Sequence, residues 1–172
     1  MTIIQGFAYS FNEAVNLYKI VTYDAGGSTI IHAFGAYFGL GVSYVLSKKL
    51  KPVQKAEVSY NSNIFAMIGT LFLWIYWPSF NFAVQAKSPY EQNIIITNTL
   101  LSLTGSCIST LVVSGLIGKK LSMEDVINAT LAGGVAIGAT SGLTYYPAVG
   151  LGIGFFAGVI STLGFRFLTP FL

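Results

Sequence analysis

Few residues of this chain can do chemistry, and the sharpest is its only histidine, His32. It lies inside the apolar run 27–47, where an imidazole without a partner is costly because hydrocarbon offers it no hydrogen bond. A neutral imidazole donates from one ring nitrogen and accepts at the other. It can therefore line a narrow path for a small neutral molecule without placing a fixed charge there. A structural hydrogen bond to a neighbouring helix is the other reading, and residue type leaves both open. Asp24, on the same side of the run, could cap the following helix by accepting its free N–H groups, as could Ser28. Its charge could equally draw a cation to the mouth of a path. Glu13 is a carboxylate within another apolar run, 2–20, so it should face protein or water rather than lipid. Phe80 is one of thirteen phenylalanines and, as an aromatic alone, reads as packing or an interface anchor. With one histidine and one cysteine, Cys107, a metal site is not expected. No nucleophile elbow, paired carboxylates or second histidine supports an enzyme, and no cofactor is called for.

The elements that must hold these residues are membrane helices. Of the 172 residues 53% are apolar and only 9% charged. A soluble domain carries about 25% charged residues, so this chain cannot cover a globular surface and belongs in lipid. Six apolar runs, at 2–20, 27–47, 63–82, 93–116, 123–143 and 148–169, are each long enough to cross a bilayer core of about 30 Å. The fold class is all-α, a polytopic transmembrane bundle of about six helices, treated as one domain over 1–172. The third run, NIFAMIGTLFLWIYWPSFNF, carries no charge, and Trp77-Pro78 reads as its interface end. Ser122 reads as the N-cap of the fifth helix, with Glu124 and Asp125 at the positive end of its dipole.

Charge sets the orientation. Lys48, Lys49, Lys51, Lys55, Lys119, Lys120 and Arg166 fall on one side of the runs, against Lys19 and Lys87 on the other. The richer side is cytoplasmic, which puts Asp24, Phe80 and Tyr146 toward the outside. The net charge of +3 is thus a topology signal, and nucleic acid is not an expected partner. Glycines recur at four-residue spacing: Gly134, Gly138 and Gly142, then Gly150, Gly154 and Gly158, with Gly35 and Gly39 in the second run. Each set forms a smooth face that another helix can approach closely.

Four stretches carry a resemblance. They are DAGGS at 24–28 followed by IHAFGAYFG at 31–39, FAMIGTLFLW followed by YWPSFN in the third run, NATLAGGVAIG at 128–138, and ISTLGFRFLTPFL at 160–172. Together, in order along nearly the whole chain, they resemble the Rh (Rhesus) glycoproteins of the ammonium transporter superfamily. The resemblance implies a portion of an eleven- or twelve-helix channel subunit, with homotrimers and one conduction path per subunit. By it, His32 matches the first of two pore histidines, Phe80 an outer-entrance constriction, Asp24 the acidic residue just outside, and Glu13 a vestibule carboxylate. Ammonia or ammonium, and carbon dioxide for some members, are the implied solutes, and a multi-pass position in the plasma membrane is implied with them. The other entrance phenylalanine and the second histidine have no counterpart among these residues, so the chain reads as an internal fragment. Two functions follow as expectations. One is ammonia conduction past Phe80 and His32. The alternative is a non-conducting membrane partner that packs on full-length Rh-type subunits through its glycine faces.

Overall fold

The computed structural model describes residues 2–48, 59–83, 86–118 and 120–169. The first run forms α1 (Thr2–Ala14) and continues as a wider π-helical stretch over Val15–Ile20. Val21 ends it in left-handed backbone at φ 56°, a conformation that β-branched residues rarely adopt. In return the N–H groups of Val21 and Thr22 both reach the carbonyl of Asn16. Asn12 of this run is used inward: it donates to the carbonyl of Ile30 at 2.9 Å, tying α1 to the next segment.

That segment opens at Gly27, whose φ of 71° is the region that favours glycine, and runs as a π-helix over Ser28–Ala33 before becoming α2 (Phe34–Ser47). Next come α3 (Tyr60–Ala83), α4 (Pro89–Gly118), α5 (Met123–Ala129), α6 (Ala132–Gly138) and α7 (Pro147–Leu163), the last extended by a π-helical turn over Gly164–Leu168. No strand occurs among the described residues. Among the described residues four helical stretches are long and apolar enough to cross a membrane: Ser28–Ser47, Tyr60–Ala83, Pro89–Gly118 and Pro147–Leu168. The first run is helical but not among these four, and it carries Gln5, Asn12, Glu13, Asn16 and Lys19.

The fifth run differs from the expected continuous helix. It is two seven-residue helices separated at Thr130 and Leu131, followed by turns. The break is supported from α4, whose hydroxyls donate to carbonyls at it and just beyond it. Ser106 donates to the carbonyl of Thr130 at 2.5 Å and Ser102 to that of Gly133 at 2.8 Å. Asn98 donates to the carbonyls of Ser141 and Thr144 at 2.8 and 2.6 Å. Irregular backbone at membrane depth is tolerable only when such protein partners surround it.

The most extensive helix pair is α4 with α7. Asn98 faces Gly150, Ser102 faces Gly154, and Ser106 with Ser109 faces Gly158, so the two helices run parallel with four-residue repeats in register. A Cβ on Gly154 would fall onto the Ser102 carbonyl, and one on Gly158 onto Ser109 Oγ. Side chains this small let backbones touch, and the hydroxyls find carbonyls instead of lipid. The interior is accordingly polar and small, with Ser102, Ser106, Ser109, Thr99 and Asn81 fully buried, while Phe7, Tyr37, Phe65 and Phe156 face outward.

At the end of α4 the π-helical Arg166 reaches Asp125. Its Nη2 lies 2.8 Å from Asp125 Oδ2, which also accepts from Ser114 Oγ at 2.6 Å. This ion pair, whose Arg166 the sequence offered as a topology charge and whose Asp125 it offered as an acid at a helix start, joins α4, α5 and the end of α7. The expected Ser122 cap is present, accepting from the Asp125 N–H at 3.4 Å. Of the basic residues used for orientation, Lys49, Lys51, Lys55 and Lys119 lie outside the described residues.

Candidate functional site

His32 sits on the π-helical segment, its N–H bonded to the carbonyl of Gly27 five residues back at 3.0 Å. Such turns carry an extra residue and recur at functional positions. The imidazole stacks on the indole of Trp77 with centroids 5.7 Å apart and planes 23° from parallel, and meets the Phe80 ring at 5.7 Å and 50°. Trp77 and Phe80 are one helical turn apart on α3, with centroids 6.4 Å apart. With Leu73 and Tyr76 these rings line a cavity of about 230 Å³. His32 Nε2 and Trp77 Nε1 are both buried and find no hydrogen-bond partner among the described residues.

A second cavity, of about 110 Å³, is lined by Tyr9, Glu13, Leu17, Asp24, Ile30 and Phe80 together with the 25–27 backbone. Phe80 is therefore shared: one cavity holds two carboxylates, the other His32, and this ring borders both. Asp24 is 3% exposed. Its Oδ2 accepts from the N–H groups of Thr29 and Ile30, both at 2.8 Å, so it caps the helix that carries His32. Its Oδ1 is buried and has no partner among the described residues. Ser28 does not share the cap. Its hydroxyl donates to the Val135 carbonyl and accepts from the Ala139 N–H, which fastens this helix start to α6. Among the described residues the one ion pair is Arg166 with Asp125, so neither Asp24 nor Glu13 is neutralised by a basic side chain there.

Trp77-Pro78 corrects the expectation of an interface end. Pro78 is buried inside α3, the helix continues to Ala83, and Trp77 forms a wall of the His32 cavity. The signal was in the sequence as the three-residue spacing of Trp77 and Phe80, which puts both rings on one face. The glycines divide. Gly134 lies against the Trp77 indole, Gly138 against Ser28 and Gly26, and Gly150, Gly154 and Gly158 against α4. A Cβ on Gly35 or Gly39 would meet nothing within 4 Å.

Chemically, the arrangement sets an anionic chamber beside an apolar one. A cation gains from the unneutralised carboxylates of the first, and a charge loses its hydration on entering the second. The pair is suited to a small solute that changes charge between them.

The profile of the Ammonium Transporter Family matches residues 2–172. The chain belongs to the ammonium transporter family. It is 48% identical to the ammonium transporter Rh type C of Rattus norvegicus and 48% identical to Rh type A of Canis lupus familiaris, in each case over all of this chain. The chain spans 35% and 42% of the lengths of these two relatives. The solved structure of Nitrosomonas europaea Rh50, described with the mechanism of conduction by the Rhesus protein family of channels, superposes with a TM-score of 0.89 at 40% identity. That match covers 96% of this chain and 44% of the Rh50 chain. As a family member with four membrane-length apolar helices among the described residues, the protein is an integral, multi-pass membrane protein that matches part of the Rh50 channel fold.

Proposed function

We propose that these residues form part of an ammonia-conducting path. Ammonium is drawn into the chamber of Asp24 and Glu13 by carboxylates that no basic side chain neutralises among the described residues. It gives up its proton on that side, the proton returning to the outer water, and neutral NH3 passes Phe80 into the cavity beside His32. There the imidazole presents a nitrogen without fixed charge, and the apolar walls of Leu73, Trp77 and Phe80 disfavour the ammonium ion. The observation that carries this reading is the shared Phe80 ring, since it links the acidic chamber to the His32 chamber. The names of the relatives, ammonium transporters Rh type C and A, support the same solute. Assembly as a homotrimer, a plasma-membrane position and passage of carbon dioxide as a second small neutral solute belong to the same reading.

The test is ammonia permeability of the natural polypeptide in sealed vesicles, read by internal pH. His32→Ala and Phe80→Ala should each change the ammonia rate by several-fold relative to wild type at equal protein density. An unchanged rate in His32→Ala overturns the role given to the imidazole. No observation favours the non-conducting partner.

A further inference from the structure

We propose that Gly134 is a positioning residue for the His32 cavity: the absence of a Cβ there sets where the Trp77 indole stands, and so the size of solute that passes. The inference deepens the conduction reading and rests on it. A Cβ on Gly134 would lie 2.6 Å from Trp77 Nε1, 2.7 Å from Cδ1 and 2.8 Å from Cε2, well inside van der Waals contact. One of the two must move.

The backbone of α6 has little room to retreat. Gly133 is already closed on the Ser102 carbonyl and Ser106 Oγ of α4, so moving α6 that way drives backbone into backbone. On the α3 side the Gly134 carbonyl accepts from Asn81 Nδ2 at 3.4 Å, and Asn81 also donates to Thr99 Oγ1 at 3.0 Å. Beyond the π-helical segment, Ser28 and the N–H of Gly26 hold Val135, Ala139 and Gly138. The indole is the freer partner, since its Nε1 has no hydrogen bond to give up and its ring borders the cavity. Displaced from α6, it closes on His32, with which it already stacks at 5.7 Å.

A narrowed cavity discriminates against the larger of two otherwise similar solutes. Methylamine exceeds ammonia by one methyl group, so Gly134→Ala should lower the methylamine-to-ammonia permeability ratio by roughly tenfold, the discrimination typical of one methyl group in a tight pocket. Trp77→Leu removes the rigid indole ring to which all three atoms met by the new Cβ belong, leaving a short, flexible side chain. In that background Gly134→Ala should leave the ratio unchanged, while Gly152→Ala, which meets nothing within 4 Å, should leave it unchanged in wild type. A second measurement, the melting temperature of the solubilised natural polypeptide, reads the same contact without transport. Gly134→Ala should lower it, and Trp77→Leu should cancel most of the further loss. Equal ratios in wild type and Gly134→Ala overturn the inference, as does a loss that persists undiminished with Trp77→Leu. If Gly134→Ala fails to reach the membrane but the double variant reaches it, the clash is with the indole, as proposed; if both fail, the clash lies elsewhere and the inference falls. A wild-type protein that carries neither solute overturns the conduction reading, and the melting temperatures then judge the Gly134 contact alone.

Discussion

At the scale of the residue, Asp24 holds two roles on one carboxylate. Oδ2 satisfies the free N–H groups of Thr29 and Ile30, and Oδ1 stays buried and unpartnered among the described residues, on a residue that lines the acidic chamber. The roles separate by substitution. Asp24→Asn keeps an acceptor for the cap and removes the charge, so the melting temperature should hold while ammonium uptake at low concentration falls. Asp24→Ala removes both, and the lost cap should add a destabilisation of about 1 kcal/mol, the usual worth of such a residue. Equal uptake in wild type and Asp24→Asn would remove the charge from the mechanism. The sequence offered cap and cation attraction as competing readings of this residue, and the cap is present. The free oxygen was not legible, because it depends on what 25–27, α1 and α3 leave beside it.

At the scale of the element, the α4–α7 pair shows how a membrane helix pair is built without large apolar knobs. The glycine repeat of α7 was plain in the sequence, but its partner was not, since α4 carries its serines among leucines and isoleucines with little amphipathic contrast. The four-residue spacing of Asn98, Ser102 and Ser106 matches that of Gly150, Gly154 and Gly158, and only juxtaposition makes the match visible. Gly154→Ala would force a methyl against the Ser102 carbonyl, which belongs to backbone and cannot rotate away. Overpacking of this kind costs about 1–3 kcal/mol, so the variant should melt well below wild type, with Gly152→Ala as the neutral comparison. Equal melting of the two variants would mean that the helices are not in close contact at this register. The break between α5 and α6 follows the same logic: apolar character announced a helix through 123–143, whereas the hydroxyls of Ser102 and Ser106 compete for its carbonyls.

At the scale of the whole molecule, the parallel course of α4 and α7 puts the ends of both helices on one side, where Arg166 meets Asp125 and Ser114. By the excess of lysine and arginine in the sequence, that side is the one expected to be cytoplasmic. In a cysteine-free background, Tyr146→Cys should react with a membrane-impermeant thiol reagent added outside intact cells, and Lys120→Cys only after the membrane is opened. The reverse pattern would invert the orientation and move Asp24 to the cytoplasmic mouth.

By itself the sequence determined that this is a helical membrane protein, where its apolar runs lie, which end of each carries the basic residues, and which family its motifs belong to. These are local or compositional properties, written in hydropathy, charge and short strings that need no partner to be read. Tertiary structure alone decided that Trp77 turns inward on His32, that Phe80 borders two chambers, that Ser28 fastens to α6 instead of capping its own helix, and that the fifth run is broken. Each depends on what a side chain meets across a helix interface, and residues as far apart in sequence as Ser28 and Val135 or Trp77 and Gly134 meet only when the bundle closes.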